Sequence, residues 1–449
     1  MARAIFVSIL LALAALSTSA QEAPLPTAAR GPTLTLDQAV AYAQTHNRQV
    51  LIVAKEVEKA NDQVLATKSQ RLPQFDVVAH GSELLTPISF DFPAGIFETG
   101  SGQPVPAENT TITTPRRPTA FVIGKMVEPL SQQYAIHLGI EAQEVGVKLE
   151  RENLRLQRET LTASVKDAYY GLLQTQSAEE ASAENVKWLE ELDRTTDAYV
   201  AEKTALPYQS MGVKAQLAQA RAQFITLEDT YDTQKENLND LMGRDILTDF
   251  SVSEVPETLP EEGDLEAARS EALANRPEIH QGKLKIDQAE LDVRSEKAAY
   301  IPEVSFAVNY VSPFNVRFVP SNIASAGIMV EWDIFDWGYK RHLLDQKKRT
   351  VDESRLNLDE TESQVVIDVD NRFRKLREAR ANLDAARLSH DAEQEKLRVV
   401  LEEYKQKATL LSTALQEQAT ATQVSSAYQQ ALAAFWTARA DFEKSLGED

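Results

Sequence analysis

The sequence predicts a mostly α-helical chain that is internally duplicated and that contains four short β-strands. Long helices are indicated by the absence of glycine and proline between Gly338 and Gly447, and by a composition dominated by Ala, Leu, Glu, Gln, Lys and Arg. The duplication is indicated by the same order of helix, strand and turn signals, which occurs twice along 449 residues. We therefore expect two similar halves, in each of which strands lead into a very long helix.

Short motifs that recur in the same order define the duplication. The matched pairs are Asn47-Arg48 with Asn275-Arg276, Pro73 with Pro302, and Met242-Gly243 with Leu446-Gly447. They predict a first structural repeat over 21–243 and a second over 264–449. The segment between them, 244–263, holds two prolines and a run of acidic residues. It is predicted to be a linker outside the core.

The first 20 residues have the pattern of a secretory signal peptide. Arg3 supplies the basic charge, an apolar run follows from Ile5 to Leu16, and Thr18-Ser19-Ala20 provides a small-residue cleavage site. The apolar run is too short for a membrane anchor. We therefore expect residues 1–20 to be removed and the mature protein to be exported, without a helix that crosses a membrane.

Four segments show the period-two alternation of a β-strand with two different faces. They are Gln74–Leu84, Thr119–Val127, Val304–Val311 and Ala324–Trp332. Their lengths suit tilted membrane-spanning strands, although an antiparallel sheet packed on helices would show the same alternation. The segment between the first two strands is rich in Pro, Gly, Thr and Asn and is predicted to be a loop.

Seven-residue spacing of apolar side chains predicts coiled-coil packing in the long helices. Val369, Leu376 and Leu383 show it in the second half. We expect helical hairpins over about 133–242 and about 339–446, with a longest helix of roughly 100 Å at 1.5 Å per residue. The turns at Lys203–Pro207 and Lys407–Ser412 would form two hairpin tips that point away from the strands, with Ser412 as a cap of the returning helix.

The order and spacing of these features resemble the TolC-like family of outer-membrane efflux proteins. The motifs that carry the resemblance are Asn275-Arg276-Pro277-Glu278, Tyr300-Ile301-Pro302 and WDIFDWG at 332–338. Each motif is weak alone, but their order, spacing and duplication together are a strong signal, and the resemblance covers the mature chain from Gln21 to Asp449. The fold implied by the resemblance is a trimer with a twelve-stranded outer-membrane β-barrel, four strands per chain, continued by a long coiled-coil α-helical barrel in the periplasm.

The strand count supports oligomers independently of the resemblance. Four strands cannot close a barrel, and open strand edges cannot lie in lipid. Bacterial barrels begin at about eight strands, so two or three copies would suffice. Only the resemblance selects three.

The resemblance also implies a function and a set of partners. The chain would be an outer-membrane channel of a Gram-negative bacterium, the exit duct of a tripartite efflux or type I secretion system. Its partners would be a periplasmic adaptor (membrane fusion) protein, an inner-membrane transporter and outer-membrane lipid. In the family, the hairpin tips contact the adaptor. The corresponding candidates are Lys203, Thr204, Ala205, Leu206, Pro207, Lys407, Ala408, Thr409, Leu410, Leu411 and Ser412.

The second tip departs from the family pattern, because it lacks the usual glycine and the aspartates that ring the periplasmic entrance in some members. Glu402, Glu403 and Gln406 are the nearest polar residues and are therefore the candidates for a periplasmic constriction. A solvated outer helix face is the simpler interpretation of the same three residues. At both tips a leucine, Leu206 or Leu411, is expected to be exposed.

The sequence argues against catalysis, a cofactor and a bound metal. It has no cysteine, and its six histidines lack metal-binding spacing. The formal net charge of −21 argues against nucleic acid as a partner, because phosphate binding needs a basic patch. Two non-enzymatic functions are left: a passive export conduit, or a structural trimeric coiled-coil surface protein or adhesin without transport. The returning hairpins favour the conduit.

Overall fold

The structure is a computed structural model, and it describes residues 31–83, 85–98, 100, 102–114, 116–253, 263–316, 319–406 and 408–447. The predicted signal peptide lies outside them. The helices are α1 Leu36–His46, α2 Arg48–Ser69, α3 Gln133–Ala201, α4 Pro207–Met242, α5 Leu265–Asn275, α6 Pro277–Ala298, α7 Tyr339–Lys405 and α8 Leu411–Leu446. The strands are β1 Thr33–Leu34, β2 Gln74–Glu83, β3 Ile88–Phe92, β4 Phe97–Glu98, β5 Pro104–Val105, β6 Thr110–Thr114, β7 Pro118–Pro129, β8 Ser251–Val252, β9 Glu303–Phe314 and β10 Ile323–Glu331. The predicted fold class, mostly helical with a smaller strand region, is confirmed.

Within the described residues, no helix is both long and apolar enough to span a membrane.

Four of these strands form one antiparallel sheet in the order β10-β9-β7-β2. They lie on the four segments for which the sequence shows alternation. The strands β2 and β10 are the two edges, and both are exposed along their whole length. One edge strand therefore follows α2 in the chain, and the other precedes α7.

The register of the sheet separates an apolar face from a mixed one, because residues directly opposite each other share a face. One row across the sheet is Val77, Gly124, Tyr310 and Ala324. The next row, on the other face, is Asp76, Lys125, Asn309 and Ser325. On the first face, the side chains of Phe75, Val77, Val122, Phe314 and Ile328 are exposed. A single copy thus leaves a broad apolar sheet face uncovered.

The segment between β2 and β7, predicted to be a loop, contains paired strands. Strand β3 pairs with β6, and β4 pairs with β5, both antiparallel. The segment is rich in turn-forming residues, as the sequence indicates. It also has paired strands: Ser89 and Thr113 face each other across β3 and β6, and their hydroxyl oxygens lie 3.1 Å apart. The irregular composition of this segment did not indicate these two short strand pairs, because they form only when separate parts of the segment pair with each other.

The helices form a layer with two open sides. On the tip side, α7 packs on α8, α8 on α3, and α3 on α4. On the sheet side, α7 packs on α6, α6 on α3, and α3 on α2. Helix α7 is therefore one edge along the whole layer, and α2 followed by α4 forms the other edge. These edges continue the sheet edges β10 and β2.

Two glycines let the shorter helices stack end to end. Gly243 ends α4 with φ +74°, and Gly447 ends α8 with φ +77°, the left-handed conformation that favours glycine at a helix C-terminus. Gly243 abuts the backbone of His46, and Gly447 abuts that of Arg276. The end of each returning helix thus meets the start of α2 or α6, and two short helices run alongside one long helix.

The linker prediction for 244–263 is wrong for its first part. Phe250 and Val252 are buried in a core cluster with Tyr169 and Leu238. Strand β8 pairs in parallel with β1, and the Tyr169 hydroxyl lies 2.9 Å from the carbonyl oxygen of Leu34. The prolines and acids that suggested a linker are in residues 254–262, which lie outside the described residues.

Candidate functional site: the hairpin tips

The first tip reverses the chain in five residues. After α3, Lys203 takes a left-handed conformation with φ +61°. The carbonyl oxygen of Tyr199 accepts hydrogen bonds from the backbone N–H groups of Thr204, at 2.9 Å, and of Ala205, at 3.1 Å. Leu206 is extended, and Pro207 begins α4, where its fixed φ suits the first helical position and its missing N–H is not needed.

The second tip separates its two helices by the same number of residues as the first, but its sequence differs. The backbone N–H of Ala408 donates to the carbonyl oxygen of Glu403 at 2.8 Å, and Leu410 is the extended residue before α8. The expected cap by Ser412 is wrong: α8 begins at Leu411, Leu410 is at the N-cap position, and no side chain caps the helix. Lys407 lies outside the described residues.

The structure corrects which leucines are exposed. Leu206 is 60% exposed and Leu410 is 72% exposed, and these two occupy equivalent N-cap positions. Leu411, expected to be exposed, packs instead against a buried cluster between α3 and α4. The residue equivalent to Leu206 is therefore Leu410, one position before Leu411. One residue along a helix rotates a side chain by about 100°, so Leu411 faces the tip core instead of solvent.

The two tips form one continuous surface. Tyr404, Leu411 and Leu415 of the second hairpin pack on the core cluster of the first, which includes Val213 and Leu217. Burial raises the pKa of the Tyr404 hydroxyl. Between the tips lies an open cleft of about 200 Å³. It is lined by Thr196, Tyr199, Thr204, Ala205, Gln209, Tyr404, Thr409 and Leu411. The candidate residues of the two tips are therefore neighbours in space.

An ion pair clamps each hairpin near its tip, and the polarity is reversed between the two. In the first hairpin, Asp197 of α3 accepts hydrogen bonds from the Ser210 hydroxyl at 2.6 Å and from Lys214 at 2.9 Å. These bonds lower the pKa of Asp197. In the second, Lys396 of α7 lies 2.5 Å from Glu417 of α8 and lowers the pKa of that carboxyl.

The candidate constriction residues lie at the C-terminal end of α7, with Glu402 and Glu403 in its last turn and Gln406 directly after it. The side chains of Glu402, Glu403 and Gln406 are all exposed in the single chain. The backbone carbonyl of Glu402 accepts a hydrogen bond from the N–H of Gln406, and that of Glu403 holds the tip turn. One copy brings these three residues together but forms no ring, so their role in a constriction stays a prediction.

No candidate metal centre is found in the part of the chain that the structure describes: no group of three or more His, Asp or Glu side chains is arranged to hold an ion.

A known family model matches most of the second repeat. Residues 268–448 match the family model described as outer membrane efflux protein. The resemblance drawn from the sequence motifs is thereby confirmed. No curated protein sequence matches the chain.

Solved structures extend the efflux-protein fold to nearly the whole chain. The outer-membrane channel CmeC of Campylobacter jejuni is 17% identical and superposes with a TM-score of 0.74 over 92% of this chain and 85% of that one. The outer-membrane channel OprN is also 17% identical, with a TM-score of 0.71 over 92% and 90% of the two chains. For MtrE of Neisseria gonorrhoeae, in its open state, the values are 18%, 0.69, and 92% and 89%. The first repeat, outside the family match, thus shares the same fold.

Proposed function

We propose that three copies of this chain form an outer-membrane channel, which is the exit duct of an efflux or type I secretion system. The family match and the fold support a conduit of this kind. The observation that carries the proposal is the shape of one chain: a membrane-length sheet and a helical layer, both open at the same two edges.

The sheet argues for closure by further copies. Both edge strands expose unpaired backbone groups, and one face of the sheet is apolar and uncovered. Such a sheet is stable in lipid only when every edge is paired. Pairing β2 of one copy with β10 of the next satisfies both edges, and three copies give twelve strands, within the range of bacterial barrels.

The hairpin tips are the proposed contact with a periplasmic adaptor. Leu206, Tyr208, Met211 and Leu410 are large, apolar and exposed at or next to the tips. Exposed apolar side chains in one patch mark an interaction surface more often than single ones do. Glu402, Glu403 and Gln406 are proposed to narrow the lumen just above this contact. An inner-membrane transporter would supply the cargo.

The two-repeat organisation supports the same proposal. Repeats over 21–243 and 264–449 contribute one hairpin each, so a trimer would present six tips to its adaptor. This number fits a symmetric ring contact, with alternating tips of two kinds.

Two measurements on full-length purified protein test the proposed function. Light scattering in detergent is expected to give the mass of three chains, and planar lipid bilayers are expected to show discrete single-channel currents. A trimer without conductance would instead support a structural surface protein, and a monomer in detergent would refute the ring.

A further inference from the structure

We infer that, in the proposed ring, α4 of one copy packs against α7 of the next along a seam of complementary charge: a basic segment of α7 meets an acidic segment of α4. The inference rests on the proposed ring, and it adds which residues select a second copy of this chain as the neighbour.

The two helices are the edges that a ring must join. Helix α4 packs on α3 and α1, and α7 packs on α5, α6 and α8, within the part of the chain that the structure describes. The faces of α4 and α7 that look away from these neighbours are exposed. A ring built by repeating one rotation joins different surfaces head to tail, so the two faces must complement each other.

The outer face of α7 carries a stripe that we call the α7 stripe. Its members are Leu356, Ile367, Arg374, Arg377, Ala381, Leu388 and Val399, all exposed. At about 100° per residue they fall on one side of the helix, opposite the buried Leu376 and Leu383. Over 372–387 the sequence has six basic and two acidic residues, in a chain whose net charge is −21. The two acids, Glu378 and Asp384, border the stripe beside the arginines.

The outer face of α4 carries the opposite charge, and we call it the α4 stripe. Its members are Met211, Ala218, Ala222, Ile225, Asp229, Asp232, Glu236 and Asp240, all exposed. They lie opposite the buried Leu238 and Tyr231. Over 229–240 the one lysine, Lys235, bonds Asp249 and lies 3.8 Å from Asp232 of the stripe, against four acidic members. The stripe is thus apolar toward the tip and acidic toward the middle of the molecule.

Contacts within one chain set the heights at which the stripes would meet. The Tyr231 hydroxyl of α4 bonds Gln176 of α3. Lys166 of α3 bonds Glu443 of α8, and Arg372 of α7 bonds Asp441 two residues away on α8. Counting along the helices from these contacts puts Tyr231 within about one helical turn of the height of Arg380.

At those heights the stripes match in order as well as in charge. Asp229, Asp232 and Glu236 face the level of Arg374 to Arg380. Farther toward the tip, Ile225 is level with Leu388, and Met211 with Val399. Ala381 leaves an open hollow between the side chains of Arg374, Arg377 and Arg380. A hollow between side chains can receive a side chain of a facing helix, as in knobs-into-holes packing.

The charge pattern explains selectivity for a second copy better than apolar contact alone would. Oppositely charged faces guide association and penalise a wrong register, in which acid meets acid. An adaptor helix could also lie on one stripe, but nothing requires an adaptor to match both stripes at the same heights.

Cysteine cross-linking tests the geometry, since the native chain has no cysteine. The double variant Ile225→Cys with Leu388→Cys is oxidised in detergent and run on a non-reducing denaturing gel. Covalent dimers and trimers are expected. The matched control pairs Ile225→Cys with Arg387→Cys, whose side chain is exposed on another side of α7; it is expected to stay monomeric. Equal cross-linking by both pairs, or none by the first pair, overturns the seam.

Charge reversal tests the selectivity. Arg374→Glu with Arg377→Glu, or Asp229→Arg with Asp232→Arg, is expected to lower the temperature at which the trimer dissociates in detergent. All four changes together are expected to restore it. The control Lys375→Glu with Arg387→Glu makes the same charge change on α7 off the stripe and should leave it unchanged. If both reversed variants keep full stability, the charged seam is refuted. If the unaltered chain itself forms no trimer and shows no conductance, the proposed function is refuted instead.

Discussion

Both repeats have a glycine at the junction between the returning helix and the next helix, but the two glycines differ in how much space is left for a side chain. A Cβ added at Gly243 would lie 2.2 Å from the carbonyl oxygen of His46, whereas one added at Gly447 would lie 3.1 Å from the backbone of Arg276. Both glycines have the same left-handed backbone conformation. The left-handed conformation alone therefore does not explain why a side chain fits less well at Gly243 than at Gly447. The closer approach of the His46 backbone explains this difference.

The repeats also start their second helices differently. In the first, the Asn47 side chain accepts hydrogen bonds from the N–H groups of Gln49 and Val50, and donates to the carbonyl oxygen of Leu241 at 2.8 Å. In the second, Arg276 makes no cap; it pairs with Glu278 and Asp368. Pro277 follows it and has no N–H to satisfy. A duplicated backbone is thus kept while hydrogen bonds are exchanged for ion pairs.

The largest expected effect is at the glycines. Gly447→Ala should cost about 1–2 kcal/mol for a left-handed alanine. Gly243→Ala adds a backbone overlap that no side-chain rotation relieves, so it should cost roughly 3 kcal/mol or more. Thermal unfolding of the helical region checks the difference. Equal losses for the two variants would mean that the His46 contact relaxes freely.

The tips come next. Leu206→Asp with Leu410→Asp should abolish export while the trimer persists, because both side chains are exposed. Leu411→Asp should instead lower the free energy of unfolding by about 1–3 kcal/mol, since Leu411 packs in the tip core. Export assays and detergent light scattering distinguish the two.

A matched control for the tip variants is Leu247→Asp. Leu247 is also exposed but lies between the repeats, far along the chain from either tip. This variant should export normally. Unimpaired export by the Leu206 and Leu410 double variant would argue against adaptor contact at the tips.

A smaller difference is expected between the two helix starts. Asn47→Ala and Arg276→Ala should each cost about 1–2 kcal/mol, the first by losing a cap and the second by losing ion pairs. Salt separates them: at 1 M salt the loss for Arg276→Ala should shrink, because screening acts on the charge pair. Unfolding by denaturant at two salt concentrations measures this. Identical salt responses would contradict the assignment.

The smallest expected effect is a pH dependence at the tip clamps. The pKa of Asp197 is lowered, chiefly by its hydrogen bond from Ser210 and then by Lys214. A lowered carboxyl pKa adds stability above the ordinary value of about 4, and this stability is lost as the pH falls through the lowered value. Asp197→Asn should therefore lower the unfolding temperature at pH 7 and have little effect near pH 2. Glu417→Gln should behave in the same way. A larger loss of stability near pH 2 than at pH 7, for either variant, would contradict this prediction.

Much of this protein was determined by the sequence alone. The absence of glycine and proline after Gly338 was enough to predict long helices in this segment, because these two residues are the strongest helix breakers. Period-two alternation located the sheet strands, and recurring motifs revealed the duplication. These signals are local, so the chain carries them without reference to its fold.

Which residues come into contact depends on how the helices and strands pack. Phe250 reads as part of a linker, yet it is buried against Tyr169, because the strand after α4 returns to pair with β1. Leu410 rather than Leu411 is the exposed tip leucine, since the turn sets the rotation of α8. The complementary stripes of α4 and α7 are more than 100 residues apart in the sequence, and their common height depends on how α3 and α8 pack between them. Contacts of this range depend on the packing of whole helices, which no local pattern encodes.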